Sequence, residues 1–233
     1  GNVKCWGANG SGQLGDGTTT NRKTPVDVNG ITNAVSVSAG GEHTCALLND
    51  GNVKCWGANG SGQLGDGTDN DAYTPVDVNN ITNAVSVSAG GSHTCAVLND
   101  GDVKCWGLNT YGQLGNGTKT DRNTPVDVNN ITNAVSVSAG NYHTCAVLND
   151  GKVRCWGDNW YGQLGDGTTA GKLTPVDVIG ITNAVSVSAG GDHTCAVLND
   201  GKVRCWGDNR YGQLGDGTDN HAYTPVDVNN ITN

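Results

Sequence analysis

Phenylalanine and methionine are absent from this chain of 233 residues, aromatics make up only 5% and hydrophobic residues 35%. A thick core of large side chains is therefore excluded, and burial has to come from the close approach of thin surfaces rich in small residues. No apolar run approaches the roughly 20 residues of a transmembrane helix, so no membrane span is expected. Lysine and arginine total 13 against 22 acids, and they are scattered along the chain. Without a basic stripe to follow phosphates, nucleic acid is excluded as a partner. No helical periodicity competes with strand patterns.

What fills the chain instead is one fifty-residue unit, copied nearly five times. GNVKCWG at Gly1 returns at Gly51, as GDVKCWG at Gly101, and as GKVRCWG at Gly151 and Gly201; AVSVSAG starts at Ala34, Ala84, Ala134 and Ala184. A period that never slips means one architecture of stacked supersecondary units. The net charge of −9 suggests an acidic face for basic partners, but most acids recur at fixed places in the unit: the Asp16, Asp27 and Asp50 types. These read as turn and strand-end residues.

Within one unit, AVSVSAG alternates with period two, HTCALL and NVKCW carry β-prone residues, and TPVDV makes a short fourth strand. Asn49-Asp50-Gly51 suits a type I turn followed by a left-handed glycine, which joins the second and third strands as a tight hairpin. That turn fixes a register in which Leu48 faces Asn52 and Cys45 faces Cys55. Pro25 and its equivalents open the fourth strand, a position suited to a sheet edge because proline has no N–H to donate. Four-stranded antiparallel meanders repeated around an axis make a β-propeller. The expected fold is all-β, one propeller or propeller segment over 1–233, with a half blade at 1–33 and blades at 34–83, 84–133, 134–183 and 184–233. Residues 1–33 supply only a third and a fourth strand, so the chain is expected to be a window from a longer array or to self-associate through its incomplete first blade. Because it begins inside a repeat, the lack of a leader carries no information on destination.

The nine cysteines fall into the pairs Cys45/Cys55, Cys95/Cys105, Cys145/Cys155 and Cys195/Cys205, with Cys5 unpaired. Opposed cysteines on neighbouring strands lie within disulfide range, and paired spacing points to an oxidising, extracellular or cell-surface setting. Two other readings stand beside this one: a zinc site from His43, Cys45 and Cys55, which lacks the usual close cysteine pairs, and reduced thiols packed as small hydrophobes.

HTCALLNDGNVKCWGANGSGQLGDGT and its later copies closely resemble the repeat of the regulator-of-chromosome-condensation (RCC1-like) family. The motifs G-x-x-H, D-G-x-V, W-G-x-N-x-x-G-Q-L-G and P-V stand here in order along the whole chain, and the cysteine-paired copies look similar to secreted bacterial members. The resemblance implies a β-propeller presenting loops to another macromolecule. The family's name comes from a nuclear exchange factor for a small GTPase, but nothing here matches a special exchange loop.

The copies differ mainly at one end of the unit. Position 42 is Glu, then Ser92, Tyr142 and Asp192. Ala8, Gly10 and Ser11 repeat as Ala58, Gly60 and Ser61, then become Leu108, Thr110 and Tyr111, Asp158, Trp160 and Tyr161, and Asp208, Arg210 and Tyr211; the segment TTNRK becomes DNDAY, KTDRN, TAGKL and DNHAY. Tyr111, Tyr142, Trp160, Tyr161, Tyr211 and Arg210 are of the types enriched at interface hot spots, and with Asp158, Asp192 and Asp208 they form the candidate partner-binding face. A protein partner is the first reading, a glycan stacked on the aromatics the second, guanine-nucleotide exchange a distant third; loops that merely drift are the bland alternative. No enzyme, cofactor or metal is expected. His43, His93, His143 and His193 recur in every unit, where a single active site would stand once, and read as buried imidazoles bonding backbone. Trp6, Trp56, Trp106, Trp156 and Trp206 read as blade packing. Asp66 to Asp71 lacks known calcium-loop spacing. Asn9, Asn59, Asn80, Asn116, Asn130 and Asn230 stand in glycan-acceptor tripeptides.

Overall fold

The computed structural model describes residues 1–231; Thr232 and Asn233, the end of the last unit and part of the Asn230 tripeptide, lie outside the described residues. Alternating β-prone stretches punctuated by Gly turns fold as antiparallel meanders. The first two strands, β1 (Lys4–Gly7) and β2 (Arg22–Asp27), pair with each other alone. They are followed by a four-stranded sheet of β3 (Ala34–Ala39), β4 (His43–Leu48), β5 (Val53–Gly57) and β6 (Ala72–Asp77), in sequential order. Three further sheets repeat this order: β7 (Ala84–Ala89) to β10 (Arg122–Asp127), β11 (Ala134–Ala139) to β14 (Lys172–Asp177), and β15 (Ala184–Ala189) to β18 (Ala222–Asp227).

The hairpin register follows the turn. Gly51 adopts φ 82°, the left-handed conformation its turn position requires, and Leu48 N–H donates to Asn52 O at 2.9 Å. Cys45 then faces Cys55 and His43 faces Gly57. Disulfides link Cys45–Cys55, Cys95–Cys105, Cys145–Cys155 and Cys195–Cys205, and the half-buried Cys5 is free.

The proline does not open the fourth strand. β2 and its equivalents start three residues earlier, and Pro25 lies inside a bulge where register jumps from Cys5↔Val26 to Gly7↔Arg22. The bulge releases the ladder position that proline cannot fill, and in the later units it accepts a backbone N–H from the preceding unit's loop, as Gly17 N–H donates to Tyr73 O at 2.9 Å. Lys4–Asp27, Lys54–Asp77, Lys104–Asp127, Arg154–Asp177 and Arg204–Asp227 pair across this third-to-fourth strand junction, so the Asp27-type acids are matched locally.

Burial happens between sheets. Cys45, Leu47, Val53, Cys55 and Leu64 pack against Ala84, Val87, Ala96, Leu98 and Trp106 of the following unit, and the two later seams repeat the arrangement. Polar groups cross the same seams. His43 Nε2 lies 2.9 Å from Thr94 Oγ1, whose hydroxyl proton goes to Gln63 O at 2.8 Å; Nε2 is therefore the ring's donor. Trp106 Nε1 donates to the same Gln63 O. His43, His93 and His143 thus bond a threonine of the next sheet and not the backbone of their own, because the residue they reach lies one whole unit away, whereas His193, in the last sheet, is only partly buried. The Nδ1 atoms of His43, His93 and His143 are buried without a partner. Burial pulls these rings down to about 4 for His43 and about 3 for His93 and His143, with neighbouring histidines adding to the effect in the latter two. Around the axis, Gly41 N–H donates to Gly90 O and Gly91 N–H to Gly140 O, each at 3.0 Å.

Trp56, Trp106, Trp156 and Trp206 are fully buried in this packing, as their recurrence implies. Trp6 departs from them at 63% exposure, because among the described residues no sheet stands against its side of β1.

Candidate functional site

Each sheet sends two connections to one end, and the backbone ties them together. Leu108 N–H donates to Ser92 O, Asp158 N–H to Tyr142 O and Asp208 N–H to Asp192 O, all at 2.9 Å. At the opposite end the near-constant loops are clipped by side chains, Asn83 Nδ2 donating to Asn99 Oδ1 at 2.9 Å and Asn133 Nδ2 to Asn149 Oδ1 at the same distance. The variable positions therefore share one face.

A buried asparagine organises the long loop on that face. Asn159 Oδ1 accepts from Leu164 N–H at 2.9 Å, while its Nδ2 reaches Asp166 Oδ1, Thr168 O and Ala170 O between 3.0 and 3.2 Å. Gln163 Oε1 caps Tyr161 N–H, and Gln163 O takes the Trp206 and Thr194 protons of the next sheet. Gly165 follows at φ 67°, where a Cβ would come within 2.8 Å of Trp206 Nε1. The W-G-x-N-x-x-G-Q-L-G string thus builds a rigid platform. Asn9 and Asn59 hold the same buried post, so neither offers its amide nitrogen to a glycan.

On this platform the aromatics meet across the seams. The rings of Tyr111 and Tyr142 are 5.1 Å apart, tilted by 56°. Tyr161 lies 5.1 Å from the His221 ring, and the Arg210 guanidinium sits over Tyr161 at 4.7 Å. Trp160 projects at 75% exposure and Tyr211 at 90%. Tyr211 belongs to the last sheet, against which no further sheet packs among the described residues.

Two acids stand differently from their sequence reading. Asp158 and Asp208 are buried beneath the loops, where each accepts from the amide of Gln163 or Gln213 at 3.0 Å. Where Leu108 replaces this acid, Gln113 Nε2 is left without a partner. Their first role is to hold the platform, a role invisible in sequence because the glutamine lies five residues on. Burial pushes the Asp158 carboxyl up, with repulsion from Asp192 adding to it. Half-buried Asp192 is pushed up in turn by burial and by Asp208. Burial also works against Asp208, but hydrogen bonds from Arg210 outweigh it and bring this carboxyl down. His221 Nδ1 accepts from Asn209 N–H at 3.1 Å and lies 3.2 Å from Asp208 Oδ1.

Beside Trp160 a cleft of about 210 Å³ is lined by Tyr111, Lys119, Asp158, Gly171 and Leu173. Lys119, Leu173 and His221 were not singled out from sequence; the only signal was that they fall in the segment running from TTNRK to DNHAY. Among the described residues no three His, Cys, Asp or Glu side chains converge as metal ligands. Asp66 and Asp71 spend their oxygens on Thr68 and on Asn59 N–H.

The family model of the RCC1-like domain matches residues 1–233. The chain belongs to the RCC1-like family. Its structure is similar to yeast RCC1 (Prp20), crystallised with Kap60 bound, with a TM-score of 0.87 at 23% identity, covering 99% of this chain and 57% of that one. It is also similar to human WBSCR16, with a TM-score of 0.85 at 24% identity, covering 96% of this chain and 61% of that one. More distant is the entire ectodomain of the Physcomitrella patens receptor kinase CR4, with a TM-score of 0.54 at 23% identity, covering 80% of this RCC1-like chain and 44% of that one. At these identities the likeness is one of fold, and the RCC1-like chain spans about three fifths of the length of the first two. No curated protein sequence matches it.

Proposed function

We propose that this RCC1-like chain is a non-enzymatic, extracellular scaffold that binds a protein partner through its variable face. The observation that carries the reading is the gathering of Tyr111, Tyr142, Trp160, Tyr161 and Arg210 on the one face where the copies diverge, held by a platform built on the same buried asparagine in every unit. Rigid aromatic anchors lose little conformational entropy on binding, and Tyr, Trp and Arg dominate measured hot spots. The similar yeast protein has been crystallised with a protein bound, which supports a binding role without naming this chain's partner. Four disulfides support the extracellular assignment.

An interaction screen against displayed extracellular proteins, repeated with Trp160→Ala, Tyr161→Ala and Arg210→Ala, tests this. A partner bound by the parent chain and lost at least tenfold in these variants is expected. Binding that ignores all three substitutions would overturn the assignment of the face. The cleft beside Trp160, with Asp158 in its wall, favours a second reading, a sugar ring stacked on the indole. Glycan-array binding abolished by Trp160→Ala would select it. Stimulated nucleotide release from a small GTPase would instead select exchange activity.

A further inference from the structure

One copy of the long variable loop lacks a cap that the other copies have. The backbone N–H of the buried asparagine is taken by the side chain twelve residues on: Asn9 N–H by Asn21 Oδ1 and Asn59 N–H by Asp71 Oδ1, each at 2.8 Å, Asn109 N–H by Asp121 Oδ1 at 2.7 Å, and Asn209 N–H by His221 Nδ1 at 3.1 Å. At Asn159 the corresponding residue is Gly171, which has no side chain to offer, and the group beside this N–H is the adjacent Asp158 carboxyl. Gly171 lines the cleft beside Trp160 together with Tyr111, Lys119, Asp158 and Leu173, so the cleft stands where the missing cap would be. The next seam holds the same arrangement fifty residues on, with Tyr161 for Tyr111, Asp208 for Asp158 and His221 for Gly171. There the imidazole fills the space. The His221 ring lies 5.1 Å from that of Tyr161, and its Nδ1 is 3.2 Å from Asp208 Oδ1.

We infer that the cleft beside Trp160 is a receptor for an imidazole ring, which a protein partner presents as a histidine side chain whose ring nitrogen accepts from Asn159 N–H. This rests on the reading of the variable face as protein-binding and names what the partner inserts there. The copies themselves restrict the chemistry. Carboxylate caps, Asp71 and Asp121, stand where the residue before the asparagine is Ala58 or Leu108; where that residue is Asp208, the cap is a histidine. Asp158 puts the open copy in the second class. A carboxylate brought to Asn159 N–H would meet another, and the Asp158 carboxyl is already pushed up by burial and by Asp192. With Lys119 also in the lining, the cleft carries no net charge and suits a neutral occupant. An amide like that of Asn21 would satisfy the N–H, but the remaining walls are Trp160, Tyr111 and Leu173, which pack best against a flat ring. At about 210 Å³ the cleft holds one such ring and not a stretch of backbone.

The probe is N-acetylhistidine methylamide, titrated into the intact chain at about pH 8, where its ring is neutral, while the amide resonance of Asn159 and the indole N–H resonance of Trp160 are followed. Both are expected to shift and to saturate in the millimolar range, Asn159 downfield as its hydrogen bond forms, with binding at least tenfold weaker for the alanine, asparagine and aspartate analogues. Gly171→His supplies the ring from within, since a Cβ there meets Gly157 O at 3.0 Å and nothing else closer than 3.9 Å. This variant should shift Asn159 without ligand and abolish the titration. His221→Gly opens the matching space beside Tyr161 and should add a second site, read at Asn209. No saturable shift at Asn159 in the parent chain, or equal affinity for any of the three analogues, would overturn the inference whatever a partner screen returns. A partner lost with Trp160→Ala yet still bound by Gly171→His would overturn the histidine contact and leave the protein-binding face standing. A methyl glucoside that saturates Asn159 where the histidine probe does not would overturn it in favour of a sugar.

Discussion

Acidification should loosen the seams before it affects anything else. His43, His93 and His143 are neutral in the native state down to about pH 4, 3 and 3, against an ordinary 6.5 for the unfolded chain. Between those limits the unfolded state binds more protons, so stability rises with pH and is lost as pH falls. From pH 7 to 5 each ring costs about 2 kcal/mol, and the three together roughly 5 to 6. Asp158 and Asp192, whose carboxyls are pushed up, act in the opposite sense near their own titration, so the comparison stops at about pH 5. Urea unfolding followed by fluorescence of the buried tryptophans, at constant ionic strength, is the assay. With a slope of about 3 kcal/mol per molar, the midpoint should drop by about 2 M. His93→Gln keeps a donor for Thr144 and should remove about a third of the pH dependence. A midpoint that is flat across this range, or a His93→Gln profile parallel to that of the parent, would refute the buried neutral state of these rings.

Other outcomes follow from single contacts. Replacing Cys95 and Cys105 together by alanine opens a loop with a sequence separation of 10 and should cost about 2.5 to 3 kcal/mol on the chain-entropy account, checked by the urea midpoint under non-reducing conditions. Asn109→Ala removes the amide that binds Asn116, Thr118 and Leu114 and should destabilise by about 2 to 4 kcal/mol, with amide exchange faster across 110–120. Trp160→Ala, at an exposed side chain, should leave the midpoint within about 0.5 kcal/mol; a larger fall would make Trp160 part of the packing. Alkylation without reductant should label one thiol, at Cys5, and two or more labels would contradict the pairing.

Local features were the legible ones. Asn49-Asp50-Gly51 dictates its own turn, the turn sets the register, and the register sets Cys45 against Cys55, each step resting on residues within ten of each other. What escaped lies between copies. The His43–Thr94 contact joins residues 51 apart, and a perfect repeat hides it because every unit offers the same threonine at several distances. The Asn9 and Asn59 side chains match a glycan-acceptor pattern, yet they are buried by loop carbonyls that no tripeptide motif registers. Asp158 and Asp208 looked like surface acids since loop residues usually are; their burial depends on a glutamine that comes later in the chain. Pro25 was correctly placed at an edge but not at a bulge, whose register jump is a property of the pair of strands.

The histidine-to-threonine joint also governs how such an array can change length. Every joint uses the same atom types at the same offset, 51 residues from ring to hydroxyl, so excising 84–133 as a block would hand His43 the hydroxyl of Thr144 with its chemistry intact. Whole modules can be lost or duplicated without redesigning a neighbour, while a deletion of any other size misaligns every joint it touches. The molecule is in that sense a spliceable ruler graduated in units of fifty.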